Sequence, residues 1–205
     1  MEAEQKRLKY RDDENHNLEG SPLTLPEKKE DKDAVPANEF FFRPPKGIST
    51  APDPKPIGVL YRYPSPNDNI QELLVAVVKA KEGTDNFRQS VLQTLRSLGL
   101  REGPIKNRDV GGVLAGQTVH YDFYELLAAP NQPGGIVYFH RGEAVPGEGV
   151  YQVALAFRAT PSQPVIAADS PPVELSLASL RVGSVAQTQH SRYKPPPQTG
   201  ARGRR

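Results

Sequence analysis

The sequence predicts an α+β fold, a mainly antiparallel sheet with one long helix packed on it. One apolar stripe of helical period stands out: Phe87, Val91, Leu95 and Leu98, with Leu92 beside them. Most of the remaining middle consists of β-branched or alternating runs. After the helix these runs are joined by short turns, as in an antiparallel meander rather than in repeated βαβ units.

Structure is expected to begin at Glu39–Arg43, where three consecutive Phe run into the turn Pro44-Pro45-Lys46-Gly47. Residues 48–70 hold five prolines, so Ile57–Tyr63 reads as a short edge strand or an extended segment. Gln71–Lys81 is rich in Val and reads as a buried strand. The helix spans Thr84–Leu98. Thr84 or Asp85 can accept a bond from a free backbone N–H at its start, and Gly99 can end it. Pro104–Val110 leads into a turn at Gly111-Gly112, followed by Val113–Ala115 and the strand Gln117–Ala128. In that strand Val119, Tyr121 and Phe123 alternate with His120, Asp122 and Tyr124. Asn131–Gly135 is a hairpin turn by composition, Ile136–Arg141 returns, and Gly142–Gly149 turns again. In Val150–Thr160, Tyr151, Val153, Leu155 and Phe157 share one face. The other carries Ala154 and Ala156, small enough to admit a close second layer. Val173–Val182 closes the unit as a helical turn and a strand.

The flanks differ from this middle. Residues 1–35 carry ten acids and seven bases, 36–185 fourteen of each, and 186–205 five bases and no acid. The net charge of +2 therefore comes from a basic tail, and no nucleic-acid-binding face is expected on the core. Residues 1–36 are expected to be a disordered charged tether, with at most a marginal helix at Glu2–Asp13. Residues 37–185 are expected to form a single α+β domain, and 186–205 a disordered basic, Pro-rich tail. Cys is absent, which excludes disulfides, thiolate zinc sites and cysteine nucleophiles. No apolar run reaches the ~18–20 residues that span a bilayer. The charged start lacks the apolar region of a signal peptide, so the chain as given reads as cytoplasmic. The alternative is an exported cell-envelope lipoprotein whose leader has been removed.

Several of these features resemble the Mog1/PsbP-like family, an α-β-α sandwich. They are the aromatic strand and turn Phe40–Gly47, the Val-rich Leu73–Lys79, the helix from near Phe87, and the Gly-led strand Gly111–Tyr124. The meander strands Gly135–His140 and Tyr151–Thr160 and the closing Ser179–Val182 complete the set. The resemblance covers about residues 37–184 and implies a non-enzymatic binding protein. It assigns no functional residue.

Candidate sites come from the residues alone. His120 and His140 lie on strands expected to pair, with Asp122 and Glu125 nearby. Aligned, two imidazoles and a carboxylate could ligate a transition metal. Asp109, Asp122 and Glu125 are the carboxylates available for acid–base work, against their reading as ordinary strand-face charges. Ser90 lies mid-helix, no Ser sits in a Gly-flanked elbow, and neither Gly pair has phosphate-loop spacing. Tyr124, Tyr138, Arg141 and Arg158 could form an aromatic and cationic protein-binding patch. His16 and His190 fall in the flanks. The expectation is a non-catalytic interaction or scaffold module with no cofactor, its partner another protein bound by a sheet face or by the loops around Asn131–Gly135 and Ala144–Gly149. A small-ligand or metal-binding domain using His120 and His140 is the alternative, and an unrecognised hydrolase a third reading.

Overall fold

The structure is a computed structural model that describes residues 20–26, 34–49, 51–67, 69–80, 85–111, 118–142, 147 and 149–195. The elements are a 3-10 turn at Ala37–Glu39, β1 (Phe40–Phe41), β2 (Asp53–Pro54), β3 (Val59–Asn67), β4 (Ile70–Ala80) and α1 (Asp85–Ser97). They continue with β5 (Leu100–Val110), β6 (Val119–Ala128), β7 (Gly135–His140), β8 (Val150–Ala159), α2 (Pro171–Ser179), β9 (Arg181–Val182) and α3 (Gly183–Arg192). Seven strands form one sheet in the order β2-β3-β4-β8-β7-β6-β5, every neighbouring pair antiparallel. β1 and β9 pair separately.

The connection from β4 to β5 explains the helix. Four strand spacings separate the two, about 19 Å at the usual ~4.8 Å each. The thirteen residues of α1 reach about 20 Å at ~1.5 Å per residue. The helix therefore crosses the sheet, and the meander β5-β6-β7-β8 returns the chain to the side of β4. Gly99 sits at φ 81, and Leu98 and Gly99 donate back to Thr94 and Arg96 carbonyls, closing the helix as its sequence predicts.

Strand alternation sorts the side chains into two cores. On the α1 face, Leu74, Ala76, Val137, Phe139, Ala154 and Ala156 meet Phe87, Val91, Leu92 and Leu95. On the opposite α2 face, Tyr121, Tyr138, Val153, Leu155 and Phe157 meet Phe40, Phe42, Val173 and Leu177. The molecule is thus an α/β sandwich around an antiparallel sheet, and the small alanines of β8 do lie beneath the helix. Ala154 and Ala156 are 1% and 4% exposed. Ala154→Leu is expected to destabilise the fold by about 1–3 kcal/mol through overpacking, read in urea unfolding.

Two stretches assigned to the flanks belong to the fold. Leu23 and Leu25 are buried in the α2-face core, and the Leu23 N–H donates to the Phe42 carbonyl at 2.9 Å. The Leu-Thr-Leu spacing puts both leucines on one side of an extended segment, where they cover the sheet despite their polar surroundings. At the other end, 186–192 is helical rather than disordered. α3 packs on β1: Ala186 is fully buried, His190 Nε2 lies 2.9 Å from the Phe40 carbonyl, and its ring meets Phe41 edge-on at 5.0 Å. Tyr193 adds to this contact, with the Arg43 guanidinium 5.3 Å from its ring. His190, set aside as a flank residue, is a structural contact. The expected helix at Glu2–Asp13, His16, the cap residue Thr84, Val113–Ala115, most of Ala144–Gly149 and residues 196–205 lie outside the described residues.

β3 is longer than expected and lies one position in from the edge, because β2 pairs along it. Only two residues of β2 do so. Pro52, Pro54 and Pro56 surround that pairing and keep it short. The opposite edge strand, β5, carries alternating charges and a register break between Glu102 and Ile105 that contains Pro104. Both outer edges are therefore poor templates for further strands.

Candidate functional site

The two candidate histidines are separated by one residue of register. β6 and β7 pair with Tyr121, not His120, opposite His140. A one-residue offset puts the side chains on opposite faces of the sheet. His140 lies on the α2 face, its ring 5.9 Å from that of Tyr121. His120 is exposed on the α1 face, its Nδ1 2.7 Å from Asp109 Oδ1. The expected His120–His140 ligand pair is therefore not assembled. Among the described residues no group of three His, Cys, Asp or Glu side chains could hold a metal ion.

His140 is mostly buried, and its Nδ1 has no hydrogen-bond partner among the described residues. Burial, with a smaller contribution from His120, lowers its pKa from 6.5 to about 4. The unfolded chain binds this proton first as pH falls. The neutral imidazole's contribution is thus fully present above pH 6.5 and is lost as pH falls toward 4. The loss amounts to about 3 kcal/mol. Urea unfolding at pH 7 and pH 4 is expected to show that much less acid sensitivity in His140→Phe than in the parent chain. Glu39 and Glu102, whose pKa values are lowered, titrate in both proteins and cancel in the comparison.

The carboxylates are held by cations. Asp122 accepts from Arg88 of α1 at 2.8 Å and lies 3.1 Å from Arg141 Nε. Arg141 also lies 3.6 Å from Asp109, which meets His120. The result is a line of alternating sign, Arg88–Asp122–Arg141–Asp109, with the His120 ring against its end, that ties α1 to the hairpin. The Arg88 guanidinium lies 5.0 Å from the Phe139 ring centroid. Glu125 accepts from Lys106 at 2.6 Å. On the other face Tyr151 and Lys79 both donate to Glu39, at 2.6 and 3.0 Å. Burial alone would raise the Glu39 pKa, but these two donors overcome it and the net change is downward. Such exposed and half-exposed pairs contribute about 0–1 kcal/mol each. Their chemical effect is to neutralise one another.

The four patch residues are dispersed. Tyr138 is fully buried in the α2-face core, where alternation directs it. Tyr124 is half-buried against Phe139 on the other face, at a ring distance of 5.9 Å, and shares that face with Arg141. Arg158 pairs with Glu72 at 3.3 Å and sits opposite Gly135, at the start of β7, whereas Arg141 follows its end. The two arginines are thus separated by the length of that strand.

A concavity of about 220 Å³ lies elsewhere, at the β3 end of the sheet. Leu25, Val35, Ile57, Val59, Val75 and Val77 line it, and the rest of its wall is Pro, Ala, Val and Gly. Among the described residues no lining side chain can ionise or hydrogen-bond. The polar atoms these residues offer are all main-chain N–H and C=O groups. Sequence reasoning missed this cleft, since Leu25 and Val35 were assigned to the tether. The closely spaced prolines at 52, 54 and 56 are the available signal, because a proline-rich lead-in cannot continue β3 alongside the rest of β4.

Comparison with known proteins adds no relative: no protein-family model and no curated protein sequence matches the chain.

Proposed function

We propose that this chain is a non-catalytic interaction module of the Mog1/PsbP-like type that binds a protein partner through the Leu25–Val35–Ile57–Val77 cleft. The observation that carries this reading is the division of labour among side chains. The ionisable groups around the candidate histidines are spent on one another, and the described lining of the concavity holds none. A site for acid–base or nucleophilic chemistry needs a titratable group within reach of a bound substrate. The cleft is also smaller than the ~300–1,000 Å³ of typical small-molecule sites, and its described lining lacks the few convergent polar side chains that orient such ligands. It suits one or two apolar side chains of a larger partner. A helix across one face of the antiparallel sheet and a second helical layer on the other support the family reading. Among the described residues no helix is long and apolar enough to cross a membrane.

The test uses the full chain with a photoreactive residue at Ile57 or, separately, at Arg141, irradiated in extract of the source cells. Protein adducts from position 57 and not from 141 are the expected result. Adducts from 141 alone, or from neither position, would overturn the reading.

A further inference from the structure

The cleft adjoins an unusual stretch of backbone. β4 pairs with β8 as far as Ala80↔Val150, but its pairing with β3 starts only at Val59↔Val75. The chain leaves β3 at Gly58, which has φ 82 and lies so close to β4 that a Cβ there would come within 2.4 Å of the Val75 carbonyl oxygen. Among the described residues no strand lies beside Val77–Ala80 on the side away from β8. Val77 and Val78 there are only half-buried, as is Ile57 across the cleft.

We propose that Val77–Ala80 and the adjoining cleft bind an extended, alternately apolar peptide segment of a partner protein by strand addition. This rests on the binding-module reading and names its partner's chemistry. An open strand edge presents unpaired N–H and C=O groups in fixed register, and the complement to them is another extended backbone. An occupant with period two places alternate side chains toward Val77 and Val35 on the α2 face and the intervening ones toward Val78 and Ile57 on the α1 face. The polar atoms of the described lining being main-chain atoms, recognition by backbone hydrogen bonds and apolar side chains is what this residue set can supply. The short edge also selects between occupants. Four residues span about 14 Å at ~3.4 Å each. Pairing over that length with a second copy of the chain buries far less than the ~1,200–2,000 Å² of a stable protein interface. The edges at β2 and β5 are guarded by proline, charge and a register break, so the incoming strand is directed to β4.

The probe is a fluorescein-labelled Ser-Val-Thr-Val-Thr-Val-Thr-Ser peptide, titrated against the full chain by anisotropy, with amide exchange followed in parallel. Saturable binding is expected, with exchange at the outward amides of Val77–Ala80 slowed at least about tenfold at saturation. N-methylating alternate peptide residues removes donors but keeps side chains, and should weaken binding about tenfold or more. Ile57→Asp should weaken it similarly, with the parent's far-ultraviolet spectrum retained. Equal binding of the N-methylated peptide would overturn strand addition while leaving the module reading intact. Absence of saturable binding would overturn it as well. So would protection of these amides in the free chain, which would mean that the chain's own residues cover the edge, or their protection in a dimer that sediments as such. The module reading itself fails separately, through the cross-linking result at Ile57.

Discussion

Glu174→Ala is expected to destabilise the protein by about 3–5 kcal/mol, because it breaks a buried ion pair and leaves its cation behind. Glu174 of α2 pairs with Arg108 of β5 across the α2 face, and the two side chains are only 10% and 20% exposed. Arg108 Nε has no acceptor among the described residues. Without the carboxylate the guanidinium must either stay buried with fewer partners or pull α2 away from the sheet. The helix is also held where the Tyr121 hydroxyl donates to the Leu177 carbonyl at 2.6 Å, so displacement strains a second bond. Replacing both partners, Arg108→Met with Glu174→Met, should recover much of the loss, since neither charge then needs compensation. Urea unfolding of the two variants and the parent tests both statements. A single variant within 1 kcal/mol of the parent, by the roughly 3–5 kcal/mol expectation, would show that the pair is not buried as described.

Phe41→Ala is expected to cost about 3–5 kcal/mol, the usual penalty for emptying a buried phenylalanine site. Phe41 is 2% exposed although it points away from the α2-face core that takes Phe40 and Phe42. Its cover comes from the C-terminal segment, through His190 and Tyr193. A chain ending at Val185 should therefore be destabilised too. In that shortened chain Phe41→Ala should cost much less than in the full chain, because residues that share a contact are not additive. Equal costs in the two backgrounds would mean that α3 does not cover Phe41.

What the sequence made legible follows from periodicity. The stripe Phe87–Leu98 and the Ala154/Ala156 face of β8 specified a helix over that part of the sheet, because period and side-chain size are local properties. Register is not local. Whether His140 faces His120 or Tyr121 depends on how the 131–134 turn seats β7, and one residue decides the face. The candidate metal pair failed there, and Tyr138 left the surface patch by the same alternation. The flanks misled for another reason. Leu23, Leu25, Ala186 and His190 sit among polar neighbours, so average composition hid them. Their burial comes from surfaces made elsewhere, on the sheet and on Phe41. Only the prolines at 52, 54 and 56 marked the cleft, which forms where β3 stops short of β4, a feature of pairing rather than of any one segment.

The claim at the centre is that this chain acts by binding along β4 and its aliphatic cleft rather than by chemistry at its charged face. Amide exchange measured over the whole chain, free and saturated with the protein cross-linked at Ile57, tests it most directly. Slowed exchange confined to the segments around 57–60 and 75–80 is the expected result. Slowed exchange at 120–124 and 139–141, with the cleft unchanged, would contradict it.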